Sequence, residues 1–425
     1  MPPTLFHFTT PQLLRLHSGK VRDSYRISPQ TRLIAVTDRL SAFDFVLQTP
    51  IPNKGAVLNS ISSWWFNQTQ SIIPNHFIEQ PDPNIAIVHE AQPIRVEMVV
   101  RGYLSGSVWR GYQQGERTFS GVTLPDGLHK HDRFEQPIVT PTTKEKNDRP
   151  ISEDELVREG FTTHAQYRQM HSKALELYNF GAQLLLQRGI ILVDTKYEFG
   201  LLNGELILID EIHTPDSSRF WSMAEYNENP ENARQIDKEY IRQWLLANKQ
   251  DGAYPTALPH DIAEEASRRY VEIYETVTGM PFNVPQYLHP KARICANLSA
   301  KGYIKDSCIA IITDSKQALP FCQKAQEIAE RYNVFADVRL IKNDNDINQF
   351  LDEYNESVEP VSALFVEENY SEIMEELSAY SNLPFITTQL EDIVQTENLY
   401  LDIQDALRCL NSYRIREAMI EGEEF

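Results

Sequence analysis

The sequence predicts an α+β domain followed by a smaller α/β domain, and three observations carry that reading. With 425 residues and 41% hydrophobic composition, the chain can bury more than one core. Up to about residue 188, short β-rich runs such as 33–37 and 94–100 mix with long polar loops and one clear helix, 172–188, where Leu175, Tyr178, Ala182 and Leu185 recur at helical spacing. After a proline-punctuated stretch, 280–290, the rhythm changes. Short apolar strands at 308–313, 336–341, 361–366 and 385–388 alternate with amphipathic helices at 321–332, 347–354, 372–380 and 401–413, the pattern of a parallel sheet wrapped by helices. The boundary is expected between Pro290 and Lys305.

The charge is unevenly spread. Residues 305–425 hold 9 Lys+Arg against 25 Asp+Glu, which leaves 31 against 35 for residues 1–304. A net charge of −20 opposes binding to a nucleic acid, which needs a cationic footprint. The near-neutral first part suits anionic ligands, although an acidic last third is equally a solubilising surface. No basic segment followed by an apolar run opens the chain, and the longest apolar stretches are four or five residues, so neither a signal peptide nor a membrane span is expected. Cys295, Cys308, Cys322 and Cys409 are widely spaced, without zinc-ligand or Cys-x-x-Cys patterns. They read as reduced packing residues in a cytoplasmic protein.

The most informative segment is 190–221. Asn203-Gly204 between two β-rich runs predicts a hairpin. Alternation along the first strand puts Asp194, Lys196 and Glu198 on one face and Thr195, Tyr197 and Phe199 on the other. The returning run, 205–211, is apolar until Asp210-Glu211. A solvent-facing hairpin would carry such charges innocently. The following Pro215-Asp216-Ser217-Ser218-Arg219-Phe220-Trp221 instead packs hydroxyls and a guanidinium beside them. Clustered carboxylates suit Mg²⁺, and Arg219 beside hydroxyls suits an anion.

A second constellation, 95–109, runs a strand containing Glu97 into Arg101-Gly102 and Ser105-Gly106-Ser107. Its glycines permit close backbone approach, and Arg101 with Ser107 can grip a phosphate. The third is Gly19-Lys20-Val21-Arg22-Asp23-Ser24-Tyr25, followed by Thr37-Asp38-Arg39-Leu40-Ser41-Ala42-Phe43-Asp44. It is not a P-loop. A basic strand pair of this kind can lie over nucleotide phosphates through Lys20 and backbone N–H groups. An Arg before a Gly turn, or a Gly-Lys pair, is also an ordinary surface feature.

Taken in order with Thr140 to Lys144, these segments resemble the SAICAR synthetase family over residues 14–282. The resemblance implies a two-lobe, kinase- or ATP-grasp-like catalytic domain at 1–292. It also implies ATP-dependent joining of L-aspartate to 5-amino-1-(5-phosphoribosyl)imidazole-4-carboxylate (CAIR). The products would be SAICAR, ADP and phosphate, with Mg²⁺ as cofactor and an acyl phosphate as intermediate. By position it implies Glu198 and Asp210 as metal ligands and Asp194 and Lys196 as catalytic residues. Lys20, Arg22 and Ser24 would lie on ATP. Glu97, Arg101, Ser107, Asp216, Ser218 and Arg219 would hold the ribonucleotide, and Lys144 and Asp148 would border the aspartate. Where the commonest bacterial pattern has His-Asp, this chain has Asn147-Asp148. A small-molecule kinase or an ATP-sensing module would share much of this machinery.

The region 305–425 resembles the aminoimidazole ribonucleotide carboxylase family, implying a flavodoxin-like sheet. Its loops depart at Thr313-Asp314-Ser315-Lys316-Gln317, Lys342-Asn343-Asp344-Asn345 and Glu367-Glu368-Asn369-Tyr370-Ser371-Glu372. The glycine, histidine and arginine suited to that chemistry are missing, and acidic side chains stand in their place. The expectation is a degenerate domain without carboxylase activity that either supports a homo-oligomer or stabilises the chain, the alternative being a monomeric appendage.

Overall fold

The computed structural model describes residues 2–43, 45–145, 148–232, 239–250, 252–284, 290–305, 308–313, 322–323, 326–327, 335–341, 346, 349–350, 361–367 and 385–389. The chain divides into two units: 18–24 with 28–284, and 2–17 with 25–27 and 285–425.

The first unit contains two large sheets, besides the short pairs Ser41–Ala42 with Phe45–Val46 and Thr118–Phe119 with Val122–Thr123. One runs from the start of strand Arg22–Ser28 through Thr31–Val36 and Ile85–His89 to Phe77–Asp82. The 15-residue helix Lys54–Gln68 buries Val57, Leu58, Ile61, Trp65 and Phe66 in the unit's main core, which also holds Val36. The other is a six-stranded sheet in the order Arg133–Val139, Gln92–Tyr103, Ile190–Leu202, Glu205–Ile209. Thr142–Thr143 pairs with the second of these strands and Ser218–Ser222 with the third.

The central strand Ile190–Leu202 behaves as its alternation demands. Tyr197 and Phe199 are fully buried in the core, while Asp194, Lys196 and Glu198 line the other face. The hairpin turn has Asn203 at φ 54° and Gly204 at φ 86°, the two left-handed residues that a type I′ turn requires. The returning strand stops at Ile209, short of the expected 211, because Asp210 itself adopts φ 68° and turns the chain out of the sheet. The expected helix at 172–188 is observed as His164–Leu186. Its start is set by a capping box in which Thr163 accepts from the Gln166 N–H and the Gln166 side chain answers the Thr163 N–H. Its end is set by Gly189 at φ 76°.

In the second unit, strands Cys308–Thr313, Phe335–Leu340, Val361–Glu367 and Phe385–Gln389 form one parallel sheet in the spatial order second, first, third, fourth. These match the four expected strands to within a residue or two. The Gln12 side chain makes reciprocal bonds to Lys305, Nε2 donating to the carbonyl at 3.0 Å and Oε1 accepting from the N–H at 2.7 Å. Cys295, Cys308 and Cys322 are buried. Cys409, Asp44, Asn147, most of the expected helices after residue 313, and the loop residues 314–317, 342–345 and 368–372 lie outside the described residues. Among the described residues no helix is long and apolar enough to cross a membrane.

Candidate functional site

Register assembles the site. Across the central pair of strands Asp194 faces Arg101, Lys196 faces Val99 and Glu198 faces Glu97. On the opposite edge of the same strand Asp194 faces Arg219. One buried carboxylate therefore has a guanidinium on either side. Asp194 Oδ2 accepts from Arg219 Nη1 at 2.9 Å, from Arg101 Nη1 at 3.3 Å and from Ser105 Oγ at 3.3 Å. Arg219 Nη1 also donates to Ser105 Oγ at 3.1 Å, and Arg101 Nε to Thr140 Oγ1 at 2.9 Å. Burial, and then the neighbouring Arg219, hold the Arg101 guanidinium below its ordinary value against the opposing pull of Asp194. Two cations on one anion leave a net positive charge at the start of helix Gly106–Gln113.

Ser105 precedes that helix in extended conformation yet makes no side-chain cap; its hydroxyl turns to Asp194 and Arg219 instead. Gly106 is required here. Its φ is 61°, and a Cβ would fall 2.0 Å from the Arg219 guanidinium.

The second cluster alternates in sign. Lys196 Nζ lies 2.8 Å from Glu97 Oε1 and 3.6 Å from Glu198 Oε1, and Lys144 pairs with Glu198 Oε2. Arg22 Nη1 donates to Asp210 Oδ1 at 2.5 Å, and its Nη2 pairs with Glu211. Thr142 Oγ1 adds a bond to Glu97 Oε2 at 3.3 Å. Burial, and after it the adjacent Asp210 carboxylate, push the Glu198 carboxyl well above the usual carboxylate range. Burial opposes ionisation of Asp210 as well, but Arg22, Lys196 and Lys144 outweigh it and hold that carboxyl below the usual range. Lys196 is raised by Asp210, Glu97 and Glu198 despite its burial. Like charges facing each other across a ladder are destabilising, so the Glu97–Glu198 pair depends on Lys196.

The donor set suits a hard divalent cation. Two carboxylates from the two arms of one hairpin converge, and the buried Glu198 Oε1 takes no hydrogen bond from any described donor. Among the described residues no group of three or more His, Cys, Asp or Glu side chains stands in metal-ligand geometry. A cation held here would therefore draw its remaining oxygens from elsewhere, as Mg²⁺ does from phosphates. An open pocket adjoins Asp210, walled by Ile34, Leu58, Phe66 and Val88 and bordered by Arg22 and Glu211.

Other expected positions are placed differently. Lys20 is exposed in the turn where the Gly19 N–H donates to the Arg22 carbonyl at 2.8 Å. Arg22 is turned onto Asp210 and Glu211, and Ser24 is buried in its strand. Ser107 is exposed on the helix, whereas Ser105 makes the bonds at the guanidinium pair. Asp148 is exposed, Asp216 Oδ2 accepts from the fully buried Lys54 Nζ at 3.1 Å, and Ser218 Oγ donates to Thr195 Oγ1 at 2.8 Å. Sequence reasoning missed Ser105, Thr140, Lys54 and His213. Ser105, immediately before Gly and a helix, and Thr140, at the head of the Thr140 to Lys144 segment, stood within motifs already singled out; Lys54 and His213 did not.

Comparison with known proteins follows the same outline. The profile of the family described as SAICAR synthetase matches residues 15–257. The phosphoribosylaminoimidazole-succinocarboxamide synthase of Legionella pneumophila (strain Lens) is 47% identical over 281 residues, covering 63% of this chain and 88% of the relative. That of Flavobacterium psychrophilum is 43% identical over 289 residues, covering 66% and 92%. Among solved structures, the SAICAR synthase from Saccharomyces cerevisiae complexed with SAICAR superposes with a TM-score of 0.58 at 34% identity, covering 64% of this chain and 97% of that one.

Proposed function

The chain belongs to the SAICAR synthetase family, and on that premise we propose how its site divides the work of the reaction. The enzyme joins L-aspartate to the carboxylate of CAIR with ATP, giving SAICAR, ADP and phosphate. A carboxylate is too poor an electrophile to accept an amine directly. Its oxygen attacks the γ-phosphorus of ATP and ADP departs. The aspartate amine then attacks the acyl carbon, the acyl–phosphate bond breaks, and the amine gives up a proton as the amide forms. Both steps depend on alignment and charge neutralisation rather than on a protein nucleophile.

The observation that carries this reading is the split pair Glu198 and Asp210 within a ring of cations. We assign Mg²⁺ to these two carboxylates; when bound it neutralises charge on the transferring phosphoryl group. Lys196 and Lys20, with Arg22 and Ser24 beside them, serve the ATP phosphates, so Lys196 exchanges Glu97 and Glu198 for phosphate oxygens. Asp194 works with Lys196 at the reacting carboxylate and keeps Arg101 and Arg219 poised. These two guanidiniums, with Ser107, Ser105 and the uncapped N–H groups of helix Gly106–Gln113, take the ribonucleotide phosphate. Glu97 faces the aminoimidazole, Asp216 and Ser218 shape the ribonucleotide side, and Lys144 and Asp148 border the aspartate. The two large sheets of the first unit support the two-lobe reading. The test is steady-state ADP release: with the natural substrates sustained turnover is expected to need both CAIR and L-aspartate, and release with CAIR alone at the full rate identifies a kinase instead.

We place the catalytic domain within 1–292 and a flavodoxin-like domain at 305–425. The second-first-third-fourth order of its parallel strands supports that fold. We read the latter as a degenerate carboxylase relative with a stabilising or assembly role. Cutting the chain before Lys305 removes the partner of Gln12. Two such neutral bonds contribute about 0.5–1.5 kcal/mol each. Synthetase activity is expected to persist with a lower melting temperature or altered oligomer size, read by calorimetry and light scattering. Interconversion of aminoimidazole ribonucleotide and CAIR that disappears on this cut contradicts the reading.

A further inference from the structure

The loop that carries Asp210 is held in an unusual way. It begins with Asp210 at φ 68° and reaches His213 at φ 47°, two non-glycine residues in the left-handed region within four positions. Backbone of this kind persists only where its surroundings enforce it. On one flank Asp210 and Glu211 border an open pocket, where Arg22 holds both carboxylates. On the other flank stands His213, whose side chain is completely buried.

Three elements enclose that ring. Tyr197, the residue before Glu198 on the central strand, places its hydroxyl 2.5 Å from Nε2. Trp65 of helix Lys54–Gln68 meets the imidazole edge to face, with centroids 4.6 Å apart at 88°. Gly181 of helix His164–Leu186 gives it room, since a Cβ there would fall 2.3 Å from Cε1. Nδ1 is buried and finds no partner among the described residues. An apolar side chain of similar size would avoid that uncompensated nitrogen, so the bond to Tyr197 is the feature that distinguishes the histidine. Burial also drives the imidazole down to about 3, which favours its neutral form. No charged group of the neighbouring elements lies in contact with the ring in any described interaction.

We propose that His213 is a positioning residue that fixes the separation of Glu198 and Asp210 by tying the loop of one to the strand of the other through Tyr197. The bond joins the residue next to Glu198 with the residue three beyond Asp210, so it closes a strut across the hairpin on the side away from the ligands. Loss of the strut lets the Asp210 loop relax toward the pocket. This inference rests on the reading of Glu198 and Asp210 as the metal pair.

Tyr197→Phe removes one oxygen and keeps the ring; Gly181→Ala displaces the imidazole from the opposite side. Mn²⁺ binding to the full-length chain with ADP, followed by electron paramagnetic resonance, reads the pair without turnover, and Asp210→Asn serves as the control. Both variants are expected to weaken Mn²⁺ binding about tenfold, as supporting partners of metal ligands do, while CAIR affinity changes less than about twofold. His213→Gln, which retains a polar group toward Tyr197, should weaken Mn²⁺ binding less than His213→Ala does. Lower melting temperatures with unchanged Mn²⁺ affinity in both variants would overturn the proposal, leaving His213 a packing residue. Unchanged Mn²⁺ binding in Asp210→Asn would reject the metal assignment itself, and the strut with it.

Discussion

Asp210→Asn is expected to abolish turnover, lowering kcat by at least about 1,000-fold, because a bound metal contributes several kcal/mol of charge stabilisation and each 1.4 kcal/mol is about tenfold. The substitution conserves volume. It removes the charge that Arg22 neutralises at 2.5 Å and relieves the repulsion that raises Glu198. Glu198 then ionises at lower pH, yet a single carboxylate must hold the cation. The fold is expected to survive, with a melting temperature near that of the parent chain, since the strand ends one residue earlier at Ile209. Steady-state rates at saturating Mg²⁺ check this, and near-normal activity would show that Asp210 is no metal ligand. Glu198 also sets a pH dependence for the parent chain. Its raised carboxyl must lose a proton to bind metal, so metal affinity should rise with pH up to that displaced value and then level off.

Arg101→Lys separates the two anion sites. Arg101 uses Nε on Thr140 and Nη1 on Asp194 at once, in a buried setting. Lysine keeps the charge but cannot reproduce a planar fork. Hydrogen bonds to charged groups contribute about 1.5–3 kcal/mol, so the KM for CAIR is expected to rise about 10- to 100-fold while that for ATP changes little. Equal losses for both substrates, measured by varying each at saturation of the other, would move Arg101 away from the ribonucleotide.

Much of this site was legible because strand alternation is a local rule. Asp194, Lys196 and Glu198 had to share a face once the Asn203-Gly204 turn fixed the hairpin. The charge at Arg101 and Arg219 was visible too. Their convergence on Asp194 was not, because it depends on a register between strands whose residues lie 93 apart in sequence. Arg22 shows the same limit. Its position beside Lys20 suggested phosphate, but its bond to Asp210, 188 residues away, could not be read from either segment alone. Ser107 drew attention as the end of a Ser-Gly-Ser run; it is exposed in the first turn of the helix, and the bonds at the guanidinium pair are made by the buried Ser105, which the fold brings there. His213 gave no sequence signal at all, since an imidazole enclosed by Trp65, Gly181 and Tyr197 is defined by three separate elements. In the second unit, short apolar runs of strand length identified the four parallel strands among the described residues.

The central claim is that this site activates a carboxylate for attack by an amine. ADP release in the presence of ATP, Mg²⁺ and CAIR, with hydroxylamine supplied in place of L-aspartate, tests it most directly. The account predicts a CAIR hydroxamate formed in step with ADP, absent when CAIR is omitted and absent in Asp210→Asn. ADP release that yields a stable phosphorylated CAIR and no hydroxamate would contradict it.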